Sequence, residues 1–388
     1  MIFGRKNKNK SNMKTIILKS ITMINWKGEN NRTTTFNEKE TTIAGDNGLG
    51  KSRHREAFLW LLFGKDSQGR KDFEIKTRQA NGDVIHKLDN IVGGVMLVDG
   101  SELRLKRILT EEWIKVRGQE KETFKGNKTV TFWNDIPITI TEYQKRINEI
   151  VDENIFKIIT NPLYFVSIKW QDQRELLFKL AGTVTDNDIA AKDPKFTELI
   201  KKMDGKSFDD FKRGLLFQKK MLSDQKDKLQ PKIEQTVYLM GTFEGVCVDA
   251  LAGETMALES TARYLAQQIA IIEREEEVIK AFMKAKIAEA EARINRLFSS
   301  VKFQLFDYTI EGNESETCIP FVDGVNFNSA NTASQINAGL EIINVISRFY
   351  NVTAPIFIDR RESVNEITKT EAQIINLTVT KSKVLIIN

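Results

Sequence analysis

The sequence predicts an α/β fold: a mixed sheet, an antiparallel β meander in its N-terminal part, and an inserted helical hairpin. Three observations carry that prediction. A glycine-rich turn at 45–52 stands between a β-like run and an apolar helix. Short β-like runs broken by Asn81-Gly82 and Asp99-Gly100 fill 70–135. Apolar residues at helical spacing fill 207–300. A chain of 388 residues, 41% hydrophobic and 29% charged, can bury a core and build more than one folding unit.

The elements follow in order. Lys14 to Ile24, rich in Ile and Thr, reads as a strand, Asn25-Trp26-Lys27-Gly28 as a turn, and Thr41-Thr42-Ile43-Ala44 as the end of a second strand. An apolar helix runs from about Arg53 to Phe63. Tyr143 to Ile159 reads as helix and stops at Asn161-Pro162, because the residue before proline avoids helical geometry. Another helix covers about Gln171 to Leu180 and ends at Gly182. Ser207 caps a long pattern through Phe208, Phe211, Leu215, Leu222, Leu229 and Ile233, interrupted by Pro231. Residues 241–253 carry three glycines and read as a helix-breaking tip. The returning arm is more regular, with Leu258, Leu265, Ile272 and Ile279 seven residues apart. Two arrangements fit: an antiparallel hairpin with arms of roughly 45–65 Å, or two long helices packed on the body. β-like runs return at Val301 to Phe306, Tyr308 to Glu311 and Cys318 to Val322; a helix covers about Thr332 to Arg348. Strands are expected at Ala354 to Asp359, Ile374 to Thr380 and Val384 to Ile387. The organisation predicted is a basic disordered tail at 1–13, an N-terminal lobe at 14–206, a hairpin insertion at 207–300 and a C-terminal lobe at 301–388.

Composition excludes several classes. Two cysteines, Cys247 and Cys318, rule out a disulfide scaffold and a four-cysteine zinc site, and fit a reducing cytoplasm. No apolar run approaches a membrane span, and no long apolar stretch follows the basic N-terminus, so neither a membrane anchor nor a signal peptide is expected. The net charge is +5, and Arg5, Lys6, Lys8, Lys10 and Lys14 supply all of it, so the body gives no electrostatic support for a nucleic-acid surface. Met13 is a second possible translation start.

The chemistry starts at Gly45-Asp46-Asn47-Gly48-Leu49-Gly50-Lys51-Ser52, a complete G-x-x-x-x-G-K-S. Glycines let the backbone curl its N–H groups toward phosphate, and the helix start adds partial positive charge. Gly45, Asn47, Gly48, Gly50, Lys51, Ser52 and Arg53 are the predicted nucleotide-binding residues. Lys51 would neutralise the β- and γ-phosphates of ATP, and Ser52 would ligate Mg²⁺. Ala354-Pro355-Ile356-Phe357-Ile358-Asp359 is an apolar strand ending in a carboxylate, the pattern that holds Mg²⁺ beside the phosphates. Lys51 and Asp359 stand 308 residues apart, so a large insertion must separate them. Asn331, Thr332 and Ser334 begin a helix just before that strand. They read as an ordinary cap, or as a helix start that takes the γ-phosphate of a nucleotide on a second subunit.

In this order, Asn25-Trp26-Lys27-Gly28, GDNGLGKS, the hairpin, the Asn331 helix and APIFID resemble the head domain of the SMC/SbcC/RecF/RecN class of ABC-type ATPases. FLWLLFGKDS, NPLYF, NAGLEIIN and APIFID followed by ESVN are similar to phage-type SbcC-like ATPases of recombination and repair loci. The resemblance implies a P-loop NTPase head built from both lobes, with two heads sandwiching two ATP molecules as an ATP-dependent homodimer. It also implies action on DNA, a nuclease partner, and the cytoplasm of a bacterial or phage-infected cell. Lys27 resembles a basic residue that contacts nucleotide phosphates; it reads equally as a solvated turn lysine. The departures are specific. Asn331, Thr332 and Ala333 stand where L-S-G-G-E/Q is expected, and Arg360 occupies the place of the general-base glutamate. Glu362 is the nearest carboxylate and, with Lys51, the catalytic candidate. Asn161, Gln171 and Gln173 are the candidates for the Q-loop residue; Thr380 stands where a histidine is expected. Cys247 is alone, not one of a zinc-hook pair. The readings weighed are a hydrolysing DNA clamp, a nucleotide-gated scaffold with little hydrolysis, and a kinase or GTPase. The 308-residue separation and the hairpin argue against the last. His54 reads as packed or nucleotide-proximal and His86 as a surface residue; Trp60, Trp113, Trp133 and Trp170 read as core or interface.

Overall fold

β1 (Lys14–Trp26) buries Ile16 and Leu18, then Ile21 and Met23, then Trp26, so its period of two slips first between Leu18 and Ile21. That first slip is a bulge between Leu18 and Ser20. Gln373 fills it. Its buried amide accepts from Leu18 N at 2.8 Å and donates to Leu18 O at 2.9 Å, standing in for a strand neighbour. The fold is that of a computed structural model, which describes residues 13–115, 122–242, 246–308 and 314–388. The predicted tail up to residue 12, the Cys247 side chain and most of the predicted strand from Tyr308 to Glu311 lie outside the described residues.

β2 (Glu29–Thr35) returns along β1. β3 (Glu40–Gly45) leads into the glycine-rich loop and α1 (Arg53–Phe63), which is buried continuously from Ala57 to Phe63 and ends on left-handed Gly64 at φ +68°. β4 (Asn90–Val98), β5 (Ser101–Lys115), β6 (Glu122–Trp133) and β7 (Ile136–Ile138) form the antiparallel meander. It starts at Asn90 instead of residue 70. Between Lys71 and Gln79 charged residues leave no period-two apolar face, and only an isolated bridge from Arg78 to Val84 forms there.

Glu111 of β5 is an acid-sensitive anchor. Its side chain is 2% exposed and accepts from Lys76 Nζ, Lys87 N, His86 Nδ1 and Trp113 Nε1. Burial alone would raise its carboxyl pKa. The four donors outweigh burial and pull it from the ordinary 4.5 down to about 2. The folded pKa lies below the unfolded one, so this stabilisation is present above 4.5 and is lost as pH falls toward 2. Glu111→Gln should therefore cost roughly 3 kcal/mol in urea melts at pH 7, and the difference from wild type should shrink through that acid window. A deficit independent of pH would refute the ion-pair account.

The predicted helix Tyr143 to Ile159 is two helices, α2 (Ile140–Ile150) and α3 (Glu153–Ile159), because Asp152 turns out of helix and caps α3 through Asn154 N and Ile155 N. α4 (Tyr164–Ser167) and α5 (Trp170–Ala181) follow.

The chain divides into two compact units, residues up to Leu180 with Asn295–Asn388, and Ala181–Ile294. The second holds α6 (Asp186–Ala190), α7 (Pro194–Met203), α8 (Phe208–Asp227), α9 (Leu229–Met240) and α10 (Val246–Asn295). It starts earlier than the predicted boundary at 207, because Ile189, Leu199 and Met203 of α6 and α7 share a core with Leu215, Ile272, Ile279 and Phe282. Phe208 stacks on Phe282, Lys219 pairs with Glu276, and Thr255 donates to Met240 Sδ. Partner numbers fall as residue numbers rise, so α8 and α9 run antiparallel to α10. Pro231 sits in the first turn of α9, where its missing N–H is tolerated. Residues 246–253, predicted as part of the tip, are helical: one glycine costs a 50-residue helix only about 1 kcal/mol.

In the first unit, β8 (Val301–Tyr308), β9 (Glu314–Val322) and β10 (Val325–Asn326) make a small antiparallel sheet. α11 (Thr332–Tyr350) leads to β11 (Val352–Thr353), which extends the β1 sheet in parallel. β12 (Ile356–Asp359), β13 (Ile374–Val379) and β14 (Ile386–Ile387) join β3 in a four-stranded sheet of order β12-β13-β3-β14. β12, β13 and β3 are parallel and β14 is antiparallel. Among the described residues no helix is long and apolar enough to cross a membrane.

Candidate functional site

The three parallel strands end at one edge. Gly45 is level with Val379, and Asp359 with Leu377. The loop after β3 and the carboxylate closing β12 thus emerge from the same sheet with one strand between them.

The loop turns on Gly48 and Gly50, at φ +82° and +90°. Lys51 is 8% exposed; its ammonium donates to the carbonyls of Gly45 and Asp46, each at 2.9 Å, closing the loop around the side chain. His54 braces this from below. The ring is fully buried, with Nδ1 3.0 Å from Lys51 O and Nε2 3.0 Å from Thr34 Oγ1. A carbonyl only accepts, so Nδ1 carries the hydrogen and Nε2 accepts from Thr34. Burial lowers the imidazole pKa, which favours this neutral tautomer. α1 starts after Ser52 with no side-chain cap; its first N–H groups turn back into the loop, Arg53 N donating to Gly50 O at 3.1 Å and His54 N to Lys51 O at 3.3 Å, while the helix start still adds partial positive charge there.

These groups line a cavity of about 420 Å³. Asn47, Gly48, Gly50, Lys51, Ser52 and Arg53 form one side, Asp359, Arg360 and Val379 the other, with Glu56 beside them. Backbone N–H groups, an ammonium and a helix start suit a polyphosphate, and the Ser52 hydroxyl with the Asp359 carboxylate suits a hard divalent cation. The residues present therefore fit ATP and Mg²⁺. Among the described residues no cluster of three or more His, Cys, Asp or Glu forms a separate metal site.

Other predicted residues take different places. Lys27 pairs with Glu56 and lies 5.1 Å over the Phe73 ring, outside the cavity lining. The Arg53 guanidinium is 3.7 Å from Glu29 Oε2. Arg360, left-handed at φ +54°, donates its N–H to Asp359 Oδ1 at 3.0 Å. Glu362 does not line the cavity; its Oε2 accepts from Val379 N at 3.0 Å, at the cavity edge. Asn331 caps α11 by accepting from Ser334 N at 2.9 Å, and neither it, Thr332 nor Ser334 lines the cavity. Of the Q-loop candidates, Gln173 is buried and donates to Ile168 O, whereas Asn161 follows Thr160, whose carbonyl accepts from Phe357 N of β12 at 2.9 Å. Sequence reasoning did not single out Glu56. Its signal was present: it lies four residues after Ser52, on the same face of α1.

A strand, a glycine-rich loop closed on a buried lysine, a helix start and a carboxylate at a strand end of the same sheet define the phosphate-binding-loop class of nucleotide-binding proteins. Residues 20–239 match the AAA domain, more than half of the sequence, and the chain belongs to the AAA-domain family. It is similar to the DNA double-strand break repair Rad50 ATPase of Methanocaldococcus jannaschii, 31% identical over 178 residues, which are 43% of this chain and 16% of that protein. The chain thus spans a small part of that relative's length. Among solved structures, the Smc head domain of Pyrococcus furiosus, with an extended coiled coil and bound to the C-terminal domain of ScpA, aligns over 94% of this chain and 90% of that one, at 14% identity and a TM-score of 0.44. The RecF–ATP structure of the RecFOR pathway aligns over 95% and 92%, at 14% identity and a TM-score of 0.35.

Proposed function

We propose that the chain is an ATP-hydrolysing head that pairs with a second copy on ATP and acts on DNA in recombination or repair, alongside a nuclease. The observation that carries this reading is the single cavity shared by Lys51, Ser52 and Asp359. Lys51, the backbone N–H groups of the glycine-rich loop and the partial charge of the α1 start would hold the β- and γ-phosphates and stabilise charge as water attacks in line. Ser52 and Asp359 would hold Mg²⁺, which neutralises phosphate charge when bound. In such a pair the Asn331 helix start, which does not line its own chain's cavity, would take the γ-phosphate held by the other copy. DNA binding would act mainly through phosphates and weaken with salt.

Arg360 favours a second reading, a nucleotide-gated scaffold that hydrolyses little. It lines the cavity directly after Asp359, and the Glu362 carboxylate is engaged with Val379 N. Single-turnover hydrolysis separates the two. Under the first reading Glu362→Gln should lower the hydrolysis rate about 100-fold while ATP affinity stays within about threefold. Wild-type protein that binds ATP yet never turns over would reject hydrolysis and leave the scaffold. Light scattering of Glu362→Gln with ATP and Mg²⁺ should show a doubled mass; a monomer at saturating ATP contradicts pairing.

A further inference from the structure

A second cavity, about 690 Å³, shares no lining residue with the first. It lies among α3, α4, α5 and the end of α11. Its floor is apolar, made by Ile155 and Ile158 of α3, Ile168, and Leu176 of α5. Its rim is acidic. Asp172 and Glu175 stand three residues apart on α5, both exposed, and neither side chain makes an ion pair or hydrogen bond with any described residue. Lys179 is the one cation in the lining, and its ammonium lies 5.2 Å over the Tyr350 ring. The Tyr164 phenol has its pKa raised, chiefly by burial, so it remains a donor at neutral pH.

The two halves of this lining restrict the occupant. A bare metal ion gains nothing from an isoleucine and leucine floor. Nucleic acid would bring its phosphates against unpaired carboxylates. A segment with apolar side chains on one face and Lys or Arg on the other satisfies both: the apolar side chains leave water on the floor, and the cations meet Asp172 and Glu175. We propose that this groove docks a cationic amphipathic segment of another protein. The charge complementarity of the rim and the apolar floor carry the assignment, which does not depend on ATP chemistry.

The test uses the full chain and a labelled synthetic helical peptide of Leu and Lys, read by fluorescence anisotropy. A peptide of the same composition, scrambled so that Leu and Lys do not segregate, is the control. The amphipathic peptide should bind at least about tenfold tighter than the scrambled one, because only it can use the floor. Asp172→Lys with Glu175→Lys should weaken it about 20-fold or more; Asp224→Lys with Asp227→Lys, the same charge change on exposed α8 positions, should stay within about twofold. Unchanged circular dichroism of both double variants keeps the comparison interpretable, since all four positions are exposed. Equal loss in the two double variants would reduce the effect to net charge and overturn the proposal. Equal affinity for the scrambled peptide would also overturn it. So would a doubling of mass in light scattering that only the α5 reversals abolish, which would assign the groove to a second copy.

Discussion

Lys51→Met is expected to weaken ATP binding by 100-fold or more, about 3 kcal/mol, and to abolish measurable hydrolysis. The size follows from what the ammonium does. It is buried in the loop, held by the carbonyls of Gly45 and Asp46, and lines the cavity at the start of α1. A charge-assisted bond to phosphate inside such a cavity is worth roughly twice a neutral one. Methionine keeps the length and apolar stem but removes the charge and both carbonyl bonds. A modest loss of loop stability should accompany the lost affinity, about 1–2 kcal/mol. Titration with a fluorescent ATP analogue, beside a urea melt, separates the two. Unchanged affinity in a folded variant would mean that this cavity does not hold the triphosphate.

Gly339→Ala is expected to destabilise the protein by about 3 kcal/mol or more, although alanine is the better helix former. Gly339 lies inside α11, where the substitution would normally gain about 1 kcal/mol. Here an added Cβ would lie 2.0 Å from Pro162 O and 2.6 Å from Pro162 C. Those are backbone atoms at the break after α3, so no rotamer change relieves the clash and the helix must shift. Gly253 of α10 is the internal control, because a Cβ there meets nothing within 4 Å. Gly253→Ala should stabilise by up to about 1 kcal/mol in the same urea melt. Opposite signs for two helical glycines test the close approach directly; stabilisation by both would show that Pro162 does not pack against α11. The contact also explains two apolar motifs. NPLYF and NAGLEIIN meet through Pro162 and Gly339, and α11 thereby packs on the segment whose Thr160 carbonyl accepts from Phe357 N of β12.

The loop chemistry was legible because it is local. Glycines with positive φ, an amphiphilic lysine and a helix start lie within eight residues, and the spacing alone demands their geometry. Element types were legible wherever one period dominated, as in β4 and in α10 from Leu258 on. Boundaries failed where one or a few polar side chains decided them. Asp152 split a predicted helix by capping its second half, and charged residues in 71–79 delayed the meander.

Residue types and their spacing determined by themselves that this chain carries a phosphate-binding loop, a strand ending in Asp359 and a long helical insertion. Tertiary structure decided which of the other predicted residues approach that loop. Asp359 and Arg360 join it because β13 inserts between β3 and β12, a pairing of strands more than 300 residues apart in sequence. Lys27 is diverted to Glu56, Glu362 to Val379 N, and the Asn331 helix start lies outside the cavity. The physical reason is one of range: backbone turns and helix starts are set by neighbours in sequence, whereas the partner of a charged side chain is set by whichever strand or helix packing brings beside it.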